Sequence, residues 1–251
     1  MNEQQTVARI AEDLGKLGVD PGDVVLVHSS LRSLGEPRVQ AETVVQGFLR
    51  ALGPEGTLLL PALSYKQQPK DIHSTLASPS NVGALPEYFR QRPGTVRSVH
   101  PTHSISGVGP AVAQLFRDHE LDTTPCGPHS PLHRLLGMDA KIVMLGCGLL
   151  CNTTMHALEE FTEPPYLFGG DCSYAITDAT GRTYRKTYRT HGFAGWVQRY
   201  DRIAELGVDG LIVSGQVLAA ETQVIHTRLL KEPVIAKMRE NPLFFVAERD
   251  D

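Results

Sequence analysis

The sequence contains no continuous apolar run near the roughly 20 residues that a membrane-spanning helix requires. Its amino-terminal segment is charged and lacks the apolar core of a secretory signal peptide. It has no basic run either, since 24 Lys and Arg residues stand against 28 Asp and Glu residues, for a net charge of −4. These absences predict a cytoplasmic protein that binds neither a membrane nor nucleic acid. We also expect it to be a monomer or homodimer.

Cysteine is also scarce, and the four residues are Cys126, Cys147, Cys151 and Cys172. They show neither the paired CxxC spacing of a zinc site nor the density of a disulfide-stabilised domain. Cys151 precedes a predicted helix, where the pKa of a thiol falls, so a covalent acyl-enzyme is an alternative, but packing is the favoured interpretation. We expect reduced, structural cysteines whose oxidation state does not affect activity, and no bound metal.

The sequence is rich in apolar residues, which make up 41% of its 251 residues and suffice for a sizeable core. We expect one α/β domain over residues 1–251, with an insertion. Periodicity predicts helices at 7–17, 42–52, 82–90, 110–118, 131–136, 197–206 and 234–240. Short apolar runs predict strands at 24–27, 57–60, 141–145 and 210–213. A hairpin is predicted from 173–177 and 182–188, and polar loops at 64–81, 97–109 and 123–131.

One stretch, residues 141–160, combines a strand, a glycine turn and a helix that must end before Pro164. Asn152 or Thr153 can cap this helix, which places His156 near its first turn and Glu159 three residues later on the same face. The helix dipole favours a neutral imidazole there, and the carboxylate orients it. The pair therefore has the composition of a general base with an orienting partner.

Four motifs carry a resemblance that no single one of them would support: VHSSLRSLG at residues 27–35, PGTVRSVHPTHSISGVG at 93–109, GPHSPLHRLL at 127–136 and VMLGCGLLCNTTMHALEE at 143–160. In order and spacing they resemble the antibiotic N-acetyltransferase family, best known for the aminoglycoside 3-N-acetyltransferases. The likeness is clear from about residue 20 to 170 and looser beyond.

The resemblance implies a three-layer α/β/α domain with a central mixed sheet and a small β-hairpin insertion. It implies acetyl-CoA as co-substrate, an amine acceptor, and direct transfer with His156 as general base and Glu159 as its partner. It also implies coenzyme A contacts from two loops, at Ser29, Ser30, Leu31, Arg97, Ser98 and Ser104. A cation such as Arg97 suits the phosphates of that ligand.

The acceptor is where the sequence departs from the family. Aminoglycosides are polycations, and members that bind them place carboxylates in the segment that here reads neutral or basic, at residues 187–191. Asp71, Asp171 and His191 are the candidate substrate contacts, and Asp201 is a further acidic residue. Acetylation of an aminoglycoside is the leading hypothesis, and a less cationic amine is the alternative.

Two other classes stay open. A metal-dependent hydrolase would use His100 with His103, or His156 with Glu159 or Glu160, although no HExxH motif is present. A non-catalytic module that binds coenzyme A would have the same fold.

Overall fold

The computed structural model describes residues 2–35, 38–68 and 70–249. Its helices are α1 (Glu3–Lys16), α2 (Ala41–Leu52), α3 (Ala84–Gln91), α4 (Val112–Phe116), α5 (Pro131–Leu135), α6 (Thr154–Thr162) and α7 (Thr227–Glu240). Its strands are β1 (Val24–Ser29), β2 (Thr57–Pro61), β3 (Ile72–Ser74), β4 (Val96–Arg97), β5 (Ile105–Val108), β6 (Lys141–Leu145), β7 (Phe168–Thr177), β8 (Thr183–His191), β9 (Trp196–Gln198), β10 (Ile212–Val217), β11 (Ala220–His226) and β12 (Val246–Glu248). Within these ranges, none of the helices has the length and apolar character that crossing a bilayer requires.

Seven strands form a mixed sheet in the order β10-β11-β6-β1-β2-β5-β4. The three central strands, β6, β1 and β2, are parallel, and the outer strands pair antiparallel. Each central strand is a continuous apolar run because both of its faces are buried. The carboxyl ends of β1 and β6 lie side by side, with Ser29 opposite Leu145. In open α/β sheets this edge is where ligands bind.

Two hydrophobic cores flank the sheet and make the molecule three-layered. Alternate residues of β1 point into opposite cores: Val25 and Val27 pack with α1, α2 and α3, whereas Leu26 packs with α5, α6 and α7. The predicted α/β/α architecture is therefore confirmed.

The predicted hairpin is confirmed as β7 and β8, which are longer than expected and turn at Gly181 with φ 86°. With β3 they form a separate three-stranded sheet. This small sheet is the expected insertion.

Several local predictions were wrong. Residues 97–109 were predicted as loop, but part of the segment forms β5 and pairs with β2, where Gly107 is needed because a Cβ would lie 2.6 Å from the Leu59 side chain. Residues 197–206 were predicted as helix and instead form β9, paired with β12, and a 3-10 helix at Tyr200–Leu206. Strands β11 and β12 were not predicted. The turn before β11 has no glycine, and Leu218 adopts φ 54° while donating its amide to Asp13.

Candidate active site

The candidate site lies at the carboxyl ends of β1 and β6, where the chain turns into α6. His28, at the end of β1, holds the start of this helix: its Nε2 accepts from the Thr153 amide at 3.1 Å and lies 2.8 Å from Thr153 Oγ1. Asn152 supplies the expected cap, accepting from the Thr154 amide at 3.1 Å, whereas the Thr153 side chain caps no amide. Burial lowers the pKa of His28 to about 3, so this support is a neutral imidazole.

His156 and Glu159 form the pair expected from their spacing. His156 Nδ1 lies 3.2 Å from Glu159 Oε2, and the carboxylate is fully buried. A carboxylate is acceptor-only, so it selects the tautomer with the proton on Nδ1. Nε2 is then the ring nitrogen left for a substrate.

Tyr200 completes this arrangement and was not predicted as a site residue, since its helical spacing from Trp196 favoured a core role. Its ring is buried, but its hydroxyl donates to Glu159 Oε2 at 2.9 Å and lies 3.0 Å from His156 Nδ1. Tyr166 donates to the other carboxylate oxygen at 3.0 Å. Glu159 is therefore fixed from three directions. No local sequence signal connects Tyr200 to a helix 44 positions earlier.

Two further imidazoles, those of His103 and His191, lie close to His156. The His191 ring centroid is 5.3 Å from that of His156, and the His103 centroid is 5.6 Å from it. His191 Nε2 lies 2.7 Å from Glu160 Oε1, and burial lowers the pKa of His191 to about 2. Burial also raises the pKa of Glu160. The His191 imidazole is therefore neutral, and Glu159 is the carboxylate that contacts His156.

Two adjoining cavities open at this edge. The larger, about 590 Å³, is lined by Leu63, Tyr65, Val82, Leu150, Cys151, Asn152, Thr153, His156, Val197, Gln198 and Tyr200. The smaller, about 270 Å³, is lined by His28, Ser29, Pro61, Tyr65, Asn81, Val82, Pro86, Cys147, Cys151 and Thr153. They share Tyr65, Val82, Cys151 and Thr153, so they adjoin between the end of β1 and His156. The two adjoining cavities are together called the passage. Tyr65 and Asn81, near the two ends of segment 64–81, contribute to its wall.

The residues expected to contact coenzyme A divide into two groups. Ser29 lines the smaller cavity, and its buried Oγ has no hydrogen-bond partner among the described residues. Ser30 follows it, and its Oγ accepts from Ser33 at 3.0 Å. Leu31 begins the 3-10 helix Leu31–Leu34 at the same edge. Ser29 thus lines a cavity, whereas Ser30 and Leu31 are half-buried at the same edge and line neither cavity. The coenzyme A contacts of all three stay predictions.

Arg97, Ser98 and Ser104 require a correction, because they are buried and engaged inside the protein. Arg97 makes five hydrogen bonds, to the carbonyls of Thr75, Ser78 and Ala62 and to the hydroxyls of Ser64 and Ser104. Ser98 accepts from the Ile105 amide. A guanidinium with all five donors used has none left for a phosphate. Arg97 instead ties the polar loop 64–81 to the main sheet.

The expected substrate contacts are scattered. Only 5% of the His191 side chain is exposed, and His191 lines neither of the two cavities. Asp171 is exposed on β7 opposite Arg189, two residues from His191 along β8. Asp71 precedes Ile72, which pairs with Ala175 of β7, and Ala175 pairs in turn with Arg185 of β8. Arg185 is six residues from His191, which is roughly 20 Å along a strand. Asp201 pairs with Arg199 at 2.9 Å.

The cysteines are free thiols, but Cys151 is exposed, so the expectation that it packs in the interior was wrong. The histidines meet through ring faces and edges, and among the described residues no three His, Cys, Asp or Glu side chains are arranged to hold a metal. The described residues therefore provide no set of metal ligands for the metal-dependent hydrolase alternative.

Fold and site together define a three-layer α/β protein with an oriented histidine in a cleft at the edge of a mixed sheet. A family model described as aminoglycoside 3-N-acetyltransferase matches residues 26–239, and the chain belongs to this family.

Curated relatives agree with this assignment. Aminoglycoside N(3)-acetyltransferase IX of Micromonospora chalcea is 31% identical over 177 residues, which are 63% of this chain and 63% of that protein. The match thus spans less than two thirds of that relative. Aminoglycoside N(3)-acetyltransferase IV of Salmonella sp is 30% identical over 242 residues, 95% of this chain and 89% of that protein.

Solved structures show the same fold. Aminoglycoside acetyltransferase AAC(3)-IVa, as apoenzyme, superposes with a TM-score of 0.79 at 27% identity, over 95% of this chain and 90% of that chain. A variant of that enzyme in complex with a gentamicin superposes with a TM-score of 0.81 at 28% identity, over the same shares of the two chains.

Proposed function

We propose that this protein transfers the acetyl group of acetyl-CoA directly to an amine of an aminoglycoside. The observation that carries the proposal is the His156, Glu159 and Tyr200 arrangement, in a chain of this family, with one ring nitrogen left for a substrate. The enzyme relatives lend support, since a related acetyltransferase has been solved with a gentamicin bound.

In the proposed reaction, His156 Nε2 removes a proton from the acceptor nitrogen as that nitrogen attacks the acetyl carbonyl. The C–N bond forms and the C–S bond breaks. Coenzyme A leaves as a thiolate and takes the proton from the imidazolium, which returns His156 to its neutral state. Glu159 stabilises the transient imidazolium, and Tyr200 keeps the carboxylate oriented.

The smaller cavity is the proposed path of the pantetheine arm. The pantetheine chain has two amides and a hydroxyl that need polar partners, and Ser29 offers a buried hydroxyl with no partner among the described residues. Ser30 and Leu31 extend the same edge. Since Arg97 is occupied inside the protein, the phosphates must be met by other groups or by solvent.

The acceptor would enter the larger cavity, whose lining contains no carboxylate among the described residues. Asp171, one of the proposed acidic contacts, lies on β7 opposite the cationic Arg189. This favours aminoglycosides of lower charge and keeps a less cationic amine as the alternative acceptor. As part of the proposal, the free thiols suit a cytoplasmic location, with the protein a monomer or homodimer.

The test follows release of free thiol from acetyl-CoA across a panel of aminoglycosides and simple amines. We expect turnover with at least one aminoglycoside. Turnover with simple amines and with no aminoglycoside would show that the acceptor is a less cationic amine. Coenzyme A binding without turnover on any amine would favour the non-catalytic module. Intact mass after incubation with acetyl-CoA alone should show no added acetyl group, since the transfer is direct.

A further inference from the structure

Two thiols face each other in the turn between β6 and α6. Cys151 is exposed and Cys147 half-buried, and Cys151 Sγ donates to the Cys147 carbonyl at 3.4 Å. The thiol of Cys147 contacts that of Cys151, and this contact lowers the pKa of Cys151 to about 7. The same contact raises the pKa of Cys147. Cys151 is therefore the thiol of the pair that more readily forms the nucleophilic thiolate.

The turn that holds the pair is short and contains two glycines. The Cys151 amide donates to the Gly148 carbonyl at 3.4 Å, which keeps both cysteines in one turn. Gly146 and Gly148, on either side of Cys147, adopt φ 67° and φ 70°. A Cβ at Gly148 would meet nothing within 4 Å, whereas one at Gly146 would lie 2.5 Å from the Ser33 side chain, so the turn is open on the Gly148 side. A disulfide requires Cα atoms about 4.4 to 6.8 Å apart, a separation that a single turn can provide.

The position of the pair distinguishes it from the other cysteines. Cys147 lines the smaller cavity, and Cys151 lines both cavities where they join. Cys126, by contrast, is fully buried, and Cys172 lies on β7 in the hairpin. Only a change at the Cys147–Cys151 pair would act directly on the passage toward His156.

We propose that Cys147 and Cys151 are a thiol–disulfide exchange site for low-molecular-weight disulfides such as glutathione disulfide, and that the bridged form narrows the passage. The effect on the passage rests on the proposed function, since it concerns the coenzyme A path. This revises the expectation that cysteine oxidation state is without effect.

The exchange balances in two steps. The Cys151 thiolate attacks one sulfur of the disulfide, whose S–S bond breaks, and one thiolate leaves and takes up a proton. Cys147 then loses its proton and attacks Cys151 Sγ, which releases the second thiol. The two cysteines lose two electrons, and the small disulfide gains them.

The thiol chemistry is tested on the reduced full-length protein with glutathione disulfide at neutral pH, followed by intact mass. Wild type should lose two hydrogen atoms, and chymotrypsin, cutting after Leu149 or Leu150, should release two linked peptides. Cys147→Ser should stop at one glutathione adduct, and Cys151→Ser should show neither product. Cys172→Ser is the matched control and should behave as wild type. Four unmodified thiols in wild type, or an adduct on Cys151 that never bridges, would overturn the site.

The passage is tested separately by calorimetry with acetyl-CoA and no acceptor, before bridging, after bridging and after reduction. Acetyl-CoA serves as the coenzyme A probe because it has no free thiol that could reduce the bridge. We expect bridging to weaken the affinity about tenfold or more, and reduction to restore it. Equal affinity in both states would overturn the narrowing of the passage. If the reduced protein does not bind coenzyme A at all, the proposed function fails and the passage role fails with it, while the mass experiment still decides the exchange site.

Discussion

Replacing Glu159 with glutamine tests how the buried carboxylate supports His156. The substitution keeps the size of the side chain and an oxygen that accepts hydrogen bonds, and removes the charge. At the 3.2 Å separation of His156 Nδ1 and Glu159 Oε2, a unit charge pair at an effective dielectric constant of about 20 interacts by about 5 kcal/mol. This energy is an upper bound on the stabilisation that the transient imidazolium loses in the variant, because the amide dipole of glutamine restores part of that stabilisation. We therefore expect kcat to fall by about one to three orders of magnitude.

The double variant of His156→Ala with Glu159→Gln tests whether Glu159 acts through His156 or independently of it. His156→Ala should lower kcat by about two to four orders of magnitude and leave coenzyme A affinity nearly unchanged. Because Glu159 acts through the imidazole, adding Glu159→Gln to His156→Ala should reduce kcat little further. The assay is thiol release from acetyl-CoA with a saturating acceptor, with calorimetry for coenzyme A. Wild-type turnover in His156→Ala, or additive losses in the double variant, would refute the reasoning.

Three further predictions follow from the same structure. Tyr200→Phe removes a hydroxyl that donates to Glu159, so kcat should fall about tenfold with the donor KM nearly unchanged, and equal losses in kcat and donor affinity would contradict this. Arg97→Met should lower the free energy of unfolding by about 3 kcal/mol or more, measured by urea denaturation, and a loss of donor affinity at unchanged stability would restore Arg97 as a ligand. Burial lowers the pKa of three histidines to about 3, namely His28, His73 and His119. Below about pH 6.5 the unfolded chain binds protons at these histidines and the folded chain does not. The free energy of unfolding should therefore fall with pH, by up to about 1.4 kcal/mol per pH unit for each of them. A flat profile between neutral pH and the acid range would contradict this last prediction.

The sequence by itself determined the features that depend on short-range order. The apolar runs of the central strands specify burial on both faces, so β6 was predicted with its observed bounds and β1 and β2 within two residues of theirs. The three-residue spacing of His156 and Glu159 likewise specifies neighbours on one helical face, and the hydrogen bond is present.

Only the tertiary structure decided which distant groups meet. Tyr200 reaches Glu159 because a 3-10 helix, and not the predicted α-helix, follows β9. In the sequence, Arg97 was predicted to be a cation available to a ligand. In the folded protein, its guanidinium donates to buried carbonyls and hydroxyls. Cys147 and Cys151 are near in sequence, but the fold alone places them on the passage. Periodicity reports which face of an element is apolar, whereas polar partners depend on strand order and loop path, which no local pattern encodes.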